Sequence, residues 1–247
     1  MTTTSQPTLS TEVTPQFAAG FQENGYAFLP QFLDGQTLAT LRDYYDKIVA
    51  REIDLPGDRH LGGVTRQVIG PSRHIAFFRE NPAVQAGLAI AKQLLNVDEV
   101  RLSFDMLIYK PPMHPKPTPW HQDASYNNMP FAPKGASLDN DRVQFWVALD
   151  DVDFDNGCMH FLPGYHKGSL QEHFVYAGDP KEEGRLLATN AFGDCELPNA
   201  GVAVPLAAGG CTIHYYGTPH YTPPNITRDR GRRAYIFNVQ AVRNATA

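Results

Sequence analysis

The spacing of hydrophobic residues changes near residue 100. Before that point it is helical. Phe17 and Phe21 follow Thr14-Pro15; Leu38, Leu41, Tyr45 and Ile48 follow Asp34; Val84, Leu88, Ala91 and Leu95 follow Asn81-Pro82. Each run starts behind a residue whose side-chain oxygen can accept from unpaired N–H groups of a first helical turn. Two of the three also carry proline where its missing N–H costs nothing. Three helices are predicted, with a short strand at "GYAFLP" between the first two. Segment 56–75, with Gly62-Gly63 and Pro71, has no such period and reads as irregular.

Beyond residue 100 the period drops to two. "RLSFDMLIYKPP", "RVQFWVALDDV", "CMHFLP", "GVAVPL", "CTIHYYG" and "RRAYIFNVQ" read as strands, separated by turns containing Pro, Gly, Asn or Asp. In "RVQFWVALD", Val143, Phe145, Val147 and Leu149 point one way, while Arg142, Gln144, Trp146 and Ala148 point the other. Segment 169–200 lacks a clear period and is long for a plain connection, which makes it, with 56–75, a candidate lid. Strands with few helices between them predict a mainly β sandwich or barrel with flanking helices rather than a doubly wound sheet.

Composition narrows this picture. A chain of 247 residues fits one domain, with a helical flank at about 12–98 and a β core at about 99–242. A net charge of −5 and a pI near 6.0 leave no overall electrostatic footprint for nucleic acid, the cluster Arg228, Arg230, Arg232 and Arg233 being a local exception. Three cysteines without C-x-x-C spacing predict neither a disulfide framework nor a structural zinc site. The polar start of the chain does not read as a signal peptide, and no apolar stretch approaches the length of a membrane span. A cytoplasmic location is the default expectation.

Candidate chemistry begins at "PWHQDASY". With 9 His and 17 Asp in the chain, roughly 0.6 His-x-Asp triplets are expected by chance, so His121 and Asp123 need support from their surroundings. Residues two apart on an extended segment project to the same side. One short strand could therefore supply two ligands of a mononuclear iron(II) site, which takes two imidazoles and one carboxylate and leaves three positions open. For the third ligand, "CTIHYYGTPHYTPPN" offers His214, in the apolar-alternating part of a strand, and His220, where the chain turns after Gly217 and Pro219.

The succession "FDMLIYKPP", "PWHQDASY", "FWVALDDVDFDNGCMHFLPGYHKG", "HYTPPN" and "RRA" resembles the phytanoyl-CoA dioxygenase family over roughly residues 100–240. The resemblance implies a double-stranded β-helix (jelly-roll, cupin-like) core, Fe(II) as cofactor, and 2-oxoglutarate and O2 as co-substrates. It further implies His121, Asp123 and His220 as the metal ligands. Thr222 and Asn225 stand two and five residues after His220, as in the family, whereas Tyr216 and Pro219 after His214 do not fit. Arg232, first of the Arg-Arg-Ala element, falls where the family holds the far carboxylate of 2-oxoglutarate, although a one-residue insertion before it keeps Arg233 as a rival. Arginine suits that task because a planar guanidinium binds a carboxylate through two parallel bonds and stays charged when buried. Thr222 would be the hydroxyl partner of the same carboxylate, and Met106 and Trp146 fall on the co-substrate pocket.

The implied activity is oxidation of a C–H bond in a small organic metabolite, with a place in secondary metabolism. Hydroxylation is the default; desaturation, epoxidation or ring closure would use the same residues. Related halogenases have a small residue where this chain has Asp123, which argues against halogenation. A jelly-roll binder without turnover is the alternative, but it would have no use for His121, Asp123, His220 and Arg232 together. Tyr126, Phe131, Tyr215 and Tyr216 lean towards a small, partly apolar substrate. Asn156-Gly157 and Pro163-Gly164 read as turn formers, and His114, among prolines, as loop decoration.

Overall fold

The computed structural model describes residues 11–61, 65–127, 135, 136, 138, 140–181 and 185–242; Phe131 and Gly62-Gly63 lie outside them. The helices are α1 (Pro15–Asn24), α2 (Gly35–Val49), α3 (Phe77–Glu80) and α4 (Pro82–Leu95). The caps read from the sequence are in place. Thr14 accepts from the Phe17 N–H at 3.2 Å, Asp34 from Thr37 at 2.7 Å and Asn81 from Val84 at 3.1 Å.

The strands are β1 (Tyr26–Leu29), β2 (Asp58–Leu61), β3 (Thr65–Ile69), β4 (Val100–Lys110), β5 (Thr118–His121), β6 (Arg142–Ala148), β7 (Met159–Phe161), β8 (Phe174–Ala177), β9 (Leu186–Ala188), β10 (Val202–Val204), β11 (Cys211–Tyr215), β12 (His220–Thr222) and β13 (Arg232–Ala241). A seven-stranded sheet runs β1-β11-β6-β13-β4-β3-β2, and a four-stranded sheet runs β10-β7-β12-β5. All these pairings are antiparallel. The two sheets face each other as a jelly roll.

Each face of the large sheet has its own core, which explains the alternation along β6 and β13. Val143, Phe145, Val147, Tyr235 and Phe237 face the helices and pack with Phe21, Leu41, Ile48, Val84 and Ile90. Trp146, Ala148, Ala234 and Ile236 face the small sheet and pack with Met159, Phe161 and Val204. Gly87 lets α4 lie flat on the sheet, because a Cβ there would stand 2.4 Å from the Phe237 ring. Among the described residues, no helix is long and apolar enough to cross a membrane.

Segment 56–75 departs from the sequence expectation of irregular chain. It holds β2 and β3, which extend the large sheet beyond β4, and a 3-10 turn at Pro71–Arg73. From Arg66 to Ile69, β3 is buried on both faces, so its polarity does not alternate and the strand leaves no period-two signal. Segment 169–200 likewise contains a hairpin of β8 and β9, with β9 lying against β5.

His114 is another departure, since it is buried rather than loop decoration. Its backbone bridges to Asn225, and its ring accepts from the Lys116 N–H at 3.2 Å while its Nε2 meets the Thr65 hydroxyl. Burial, helped by the nearby Lys110, pushes the imidazole pKa down to about 4 from its ordinary 6.5. A base whose pKa is depressed by folding is neutral in the native state but takes up a proton when unfolded. Stability is therefore lost as pH falls from about 6.5 towards 4, by about 1–3 kcal/mol for this one group. Urea midpoints at pH 7.5 and pH 5 should differ more in the wild type than in His114→Gln.

Candidate metal and co-substrate site

His121 ends β5 and His220 begins β12, and the antiparallel pairing sets the two residues directly opposite each other. Their rings are 4.1 Å apart between centroids. Each Nδ1 lies against the carbonyl two residues back, Pro119 at 2.8 Å and Thr218 at 3.0 Å. A carbonyl only accepts, so the proton sits on Nδ1 and the Nε2 lone pair is left bare for a metal.

Asp123 corrects one expectation. It does not share a strand with His121; β5 stops at His121 and Asp123 opens a 3-10 turn, Asp123–Asn127. The turn still swings its carboxylate to the histidines. Oδ1 lies 3.6 Å from His121 Nε2 and 3.8 Å from His220 Nε2, and ligand atoms of all three residues lie within 4.8 Å of one another. Oδ2 faces away from that triangle, accepting from Gln144 at 2.6 Å and lying 3.5 Å from His214 Nε2. His214 thus stands behind the carboxylate, on its other oxygen. Burial alone would raise the Asp123 pKa, but His220, His121 and His214 hold it well below the usual carboxylate range. Burial, aided by His121, pushes His220 well down. Together with the bare Nε2 positions of His121 and His220, the buried carboxylate completes a donor set of two nitrogens and an oxygen that fits a divalent first-row metal.

All seven residues singled out from the sequence, His121, Asp123, His220, Thr222, Arg232, Met106 and Trp146, line one cavity of about 340 Å³. Arg232 and Arg233 separate cleanly. Arg233 points to the outer face, donating to Asp150 at 2.7 Å and Asp46 at 2.7 Å. Arg232 is buried in the cavity wall, its guanidinium carbon 5.3 Å from the Trp146 ring centroid and its Nη2 3.4 Å from the Thr222 hydroxyl. Its Nε and Nη1 have no hydrogen-bond partner among the described residues. Desolvation lowers its pKa to about 10, which leaves it cationic at neutral pH. Two orphaned donors on a buried cation fit a carboxylate ligand.

Of the aromatics expected near the site, Tyr126 and Tyr216 line the cavity. Tyr215 packs instead in the helix-side core. Asn156-Gly157 is a turn, with Asn156 accepting from the Asp153 N–H at 2.8 Å and Gly157 at φ +103°.

A family model described as phytanoyl-CoA dioxygenase (PhyH) matches residues 21–234. The chain belongs to the phytanoyl-CoA dioxygenase family. The peroxisomal phytanoyl-CoA dioxygenase of Rattus norvegicus is 29% identical over 178 residues, 66% of this chain and 49% of that protein. The chain thus spans about half the length of the curated relatives it matches. Among solved structures, EvdO2 from Micromonospora carbonacea var. aurantiaca complexed with 2-oxoglutarate is 28% identical with a TM-score of 0.76, covering 97% of this chain and 95% of that one. The epimerase SnoN in complex with Fe3+, alpha ketoglutarate and nogalamycin RO is 25% identical with a TM-score of 0.68, covering 92% and 82%.

Within the PhyH frame, two polar residues escaped the sequence reading. Gln144 reads from the sequence only as a strand-face residue, yet it donates to Asp123 Oδ2 and orients that carboxylate. Lys110, at the end of β4 before two prolines, looks like an exposed strand terminus but is fully buried. Its Nζ donates to the Thr222 hydroxyl at 2.8 Å, the Thr222 carbonyl at 3.1 Å and the Pro223 carbonyl at 2.8 Å. Burial, and then the neighbouring Arg232, drive its pKa well below the ordinary lysine value. The sequence signal for Lys110 was its cross-strand register with Arg232, which becomes visible only once β4 and β13 are paired.

Proposed function

We propose that this chain is a non-haem Fe(II)- and 2-oxoglutarate-dependent oxygenase that hydroxylates a C–H bond of a small organic metabolite. The observation that carries the reading is the triangle of His121 Nε2, Asp123 Oδ1 and His220 Nε2 in the same cavity as the orphaned donors of Arg232. His121, Asp123 and His220 hold the metal, and Gln144 fixes the carboxylate so that Oδ1 faces it. Arg232 and the Thr222 hydroxyl bind the far carboxylate of 2-oxoglutarate, with Trp146 and Met106 as apolar walls. Bound Fe(II), with 2-oxoglutarate and dioxygen, supplies the oxidising power; the chain supplies placement and exclusion of water.

Lys110 has a part in this arrangement. The Thr222 oxygen accepts from both Lys110 and Arg232, so its own proton is free to be donated to the co-substrate. Lys110→Met removes that bias, and KM for 2-oxoglutarate should rise about tenfold with kcat little changed. Equal falls in kcat and kcat/KM would indicate a different role.

The test of the function itself is anaerobic addition of Fe(II) and 2-oxoglutarate to metal-free protein. A visible metal-to-ligand charge-transfer band, followed in air by succinate formation, is expected. Iron binding without a band would overturn the assignment.

A further inference from the structure

The inward face of β6 steps through the cavity two residues at a time. Trp146 stands beside Arg232, and Gln144 holds Asp123. Arg142 comes next on the same face, its guanidinium carbon 4.6 Å from the Tyr216 ring centroid. Side chains two apart along a strand are separated by about 7 Å. The strand therefore places an arginine on the side of the metal triangle away from Arg232.

β13 repeats the order on the neighbouring strand. Arg232 lies at the co-substrate end, Ile236 is opposite Trp146, and Asn238 is opposite Gln144. Asn238 is 1% exposed and lines the cavity, and its Oδ1 has no hydrogen-bond partner among the described residues. Its Nδ2 lies 3.4 Å from the Tyr216 hydroxyl. Arg185, itself buried, reaches the same chamber beside the Tyr126 ring, 5.8 Å from its centroid, and Arg73 lines it from the 3-10 turn after β3. Each of the three arginines is also engaged by the protein itself, so these are positioned charges. The acidic side chain on the described lining is Asp123, whose charge is directed at the metal.

We propose that the primary substrate carries an oxyanion, a carboxylate or a phosphate, which docks between Arg142 and Arg185 and lays its apolar body over the metal against Tyr126 and Tyr216. This rests on the oxygenase reading and deepens it. Guanidinium groups recognise both oxyanions through paired N–H donors. Each of the two lies over an aromatic ring, Arg142 over Tyr216 and Arg185 over Tyr126, where a cation is attracted to the ring face. The Asn238 amide adds a polar group that can accept from a hydroxyl or amine of the same molecule. A cavity of about 340 Å³ keeps the ligand small.

The test uses the anaerobic Fe(II)–2-oxoglutarate protein, with benzoate and phenyl phosphate as anionic probes and benzamide as the neutral counterpart. At least one anion should shift the charge-transfer band while benzamide does not. A response to benzoate alone assigns a carboxylate, and a response to phenyl phosphate alone a phosphate. Arg142→Gln and Arg185→Gln should each weaken the response about tenfold while still forming the band with Fe(II) and 2-oxoglutarate, and Arg142→Lys should recover part of the loss. The proposal is overturned if neither anion acts up to about 20 mM. It is equally overturned if benzamide acts as strongly, if both arginine variants respond like the wild type, or if the anions bleach the band by displacing 2-oxoglutarate. A protein that binds iron but forms no band before any probe is added fails at the oxygenase reading, a result distinct from all of these.

Discussion

Asp123→Ala should abolish turnover of 2-oxoglutarate and reduce iron affinity on the order of a hundredfold or more. The carboxylate is the charged member of the triangle, and its Oδ1 is the atom that both His121 Nε2 and His220 Nε2 approach. Its removal leaves two neutral imidazoles, which bind Fe(II) weakly and do not balance its charge. Lost metal chemistry is worth several kcal/mol of barrier, so succinate formation should fall roughly a thousandfold or to background. Gln144→Leu tests the support behind the carboxylate. It removes the bond to Oδ2 without touching a ligand, and iron affinity should fall about 10–100-fold, as for other outer-shell partners. His214→Phe separates the two candidate histidines, because His214 faces Oδ2 rather than the triangle. That variant should still bind iron. Iron analysis after equilibrium dialysis, alongside circular dichroism to show that each variant folds, measures all three. Retention of iron by Asp123→Ala together with its loss in His214→Phe would reverse the ligand assignment.

The parts of this molecule that were legible in the sequence are those where one residue type sees one environment. Thr14, Asp34 and Asn81 mark helix starts because an N-cap interaction is local, within three residues. β6 and β13 declare both faces because a helix-side core and a cavity wall lie on opposite sides of a long strand. In the structure Arg232 shares the inward face of β13 with Ala234 and Ile236, while Arg233 lies outside on Asp150 and Asp46. The strands that carry the triangle were much harder to read. β5 and β12 have four and three residues, too few for any period, and Asp123 lies beyond the end of its strand. Only the motif and its neighbours exposed them. Lys110 and His114 stay hidden for a different reason. His114 reads as loop decoration because it stands among prolines, and Lys110 carries no local sign of burial; both are buried by Thr222, Pro223 and Asn225 more than a hundred residues later. Such contacts are tertiary and leave no trace in a local window.

Arg232→Met should produce two effects of opposite sign, a combination that a merely structural arginine would not give. Arg232 is a buried cation whose Nε and Nη1 have no hydrogen-bond partner among the described residues, an arrangement that costs stability until an anion binds. Methionine fills similar space without charge, so the apo variant should be more stable than the wild type by about 1–3 kcal/mol. Binding moves the other way. Removing one partner of a buried ion pair is strongly unfavourable, and KM for 2-oxoglutarate should rise on the order of a hundredfold. The linkage makes this visible without turnover. At about 100 times Kd, 2-oxoglutarate should stabilise the iron-loaded wild type by about 2.7 kcal/mol, and the same concentration should leave Arg232→Met almost unmoved. Arg233→Gln is the matched control. Its ion pairs with Asp46 and Asp150 lie towards the outside, so it should lose a little stability and keep a wild-type response to 2-oxoglutarate. Thermal melts of the three proteins with and without 2-oxoglutarate separate these cases. A destabilised apo Arg232→Met that still responds to 2-oxoglutarate would make Arg232 a structural residue and send the co-substrate carboxylate elsewhere in the cavity.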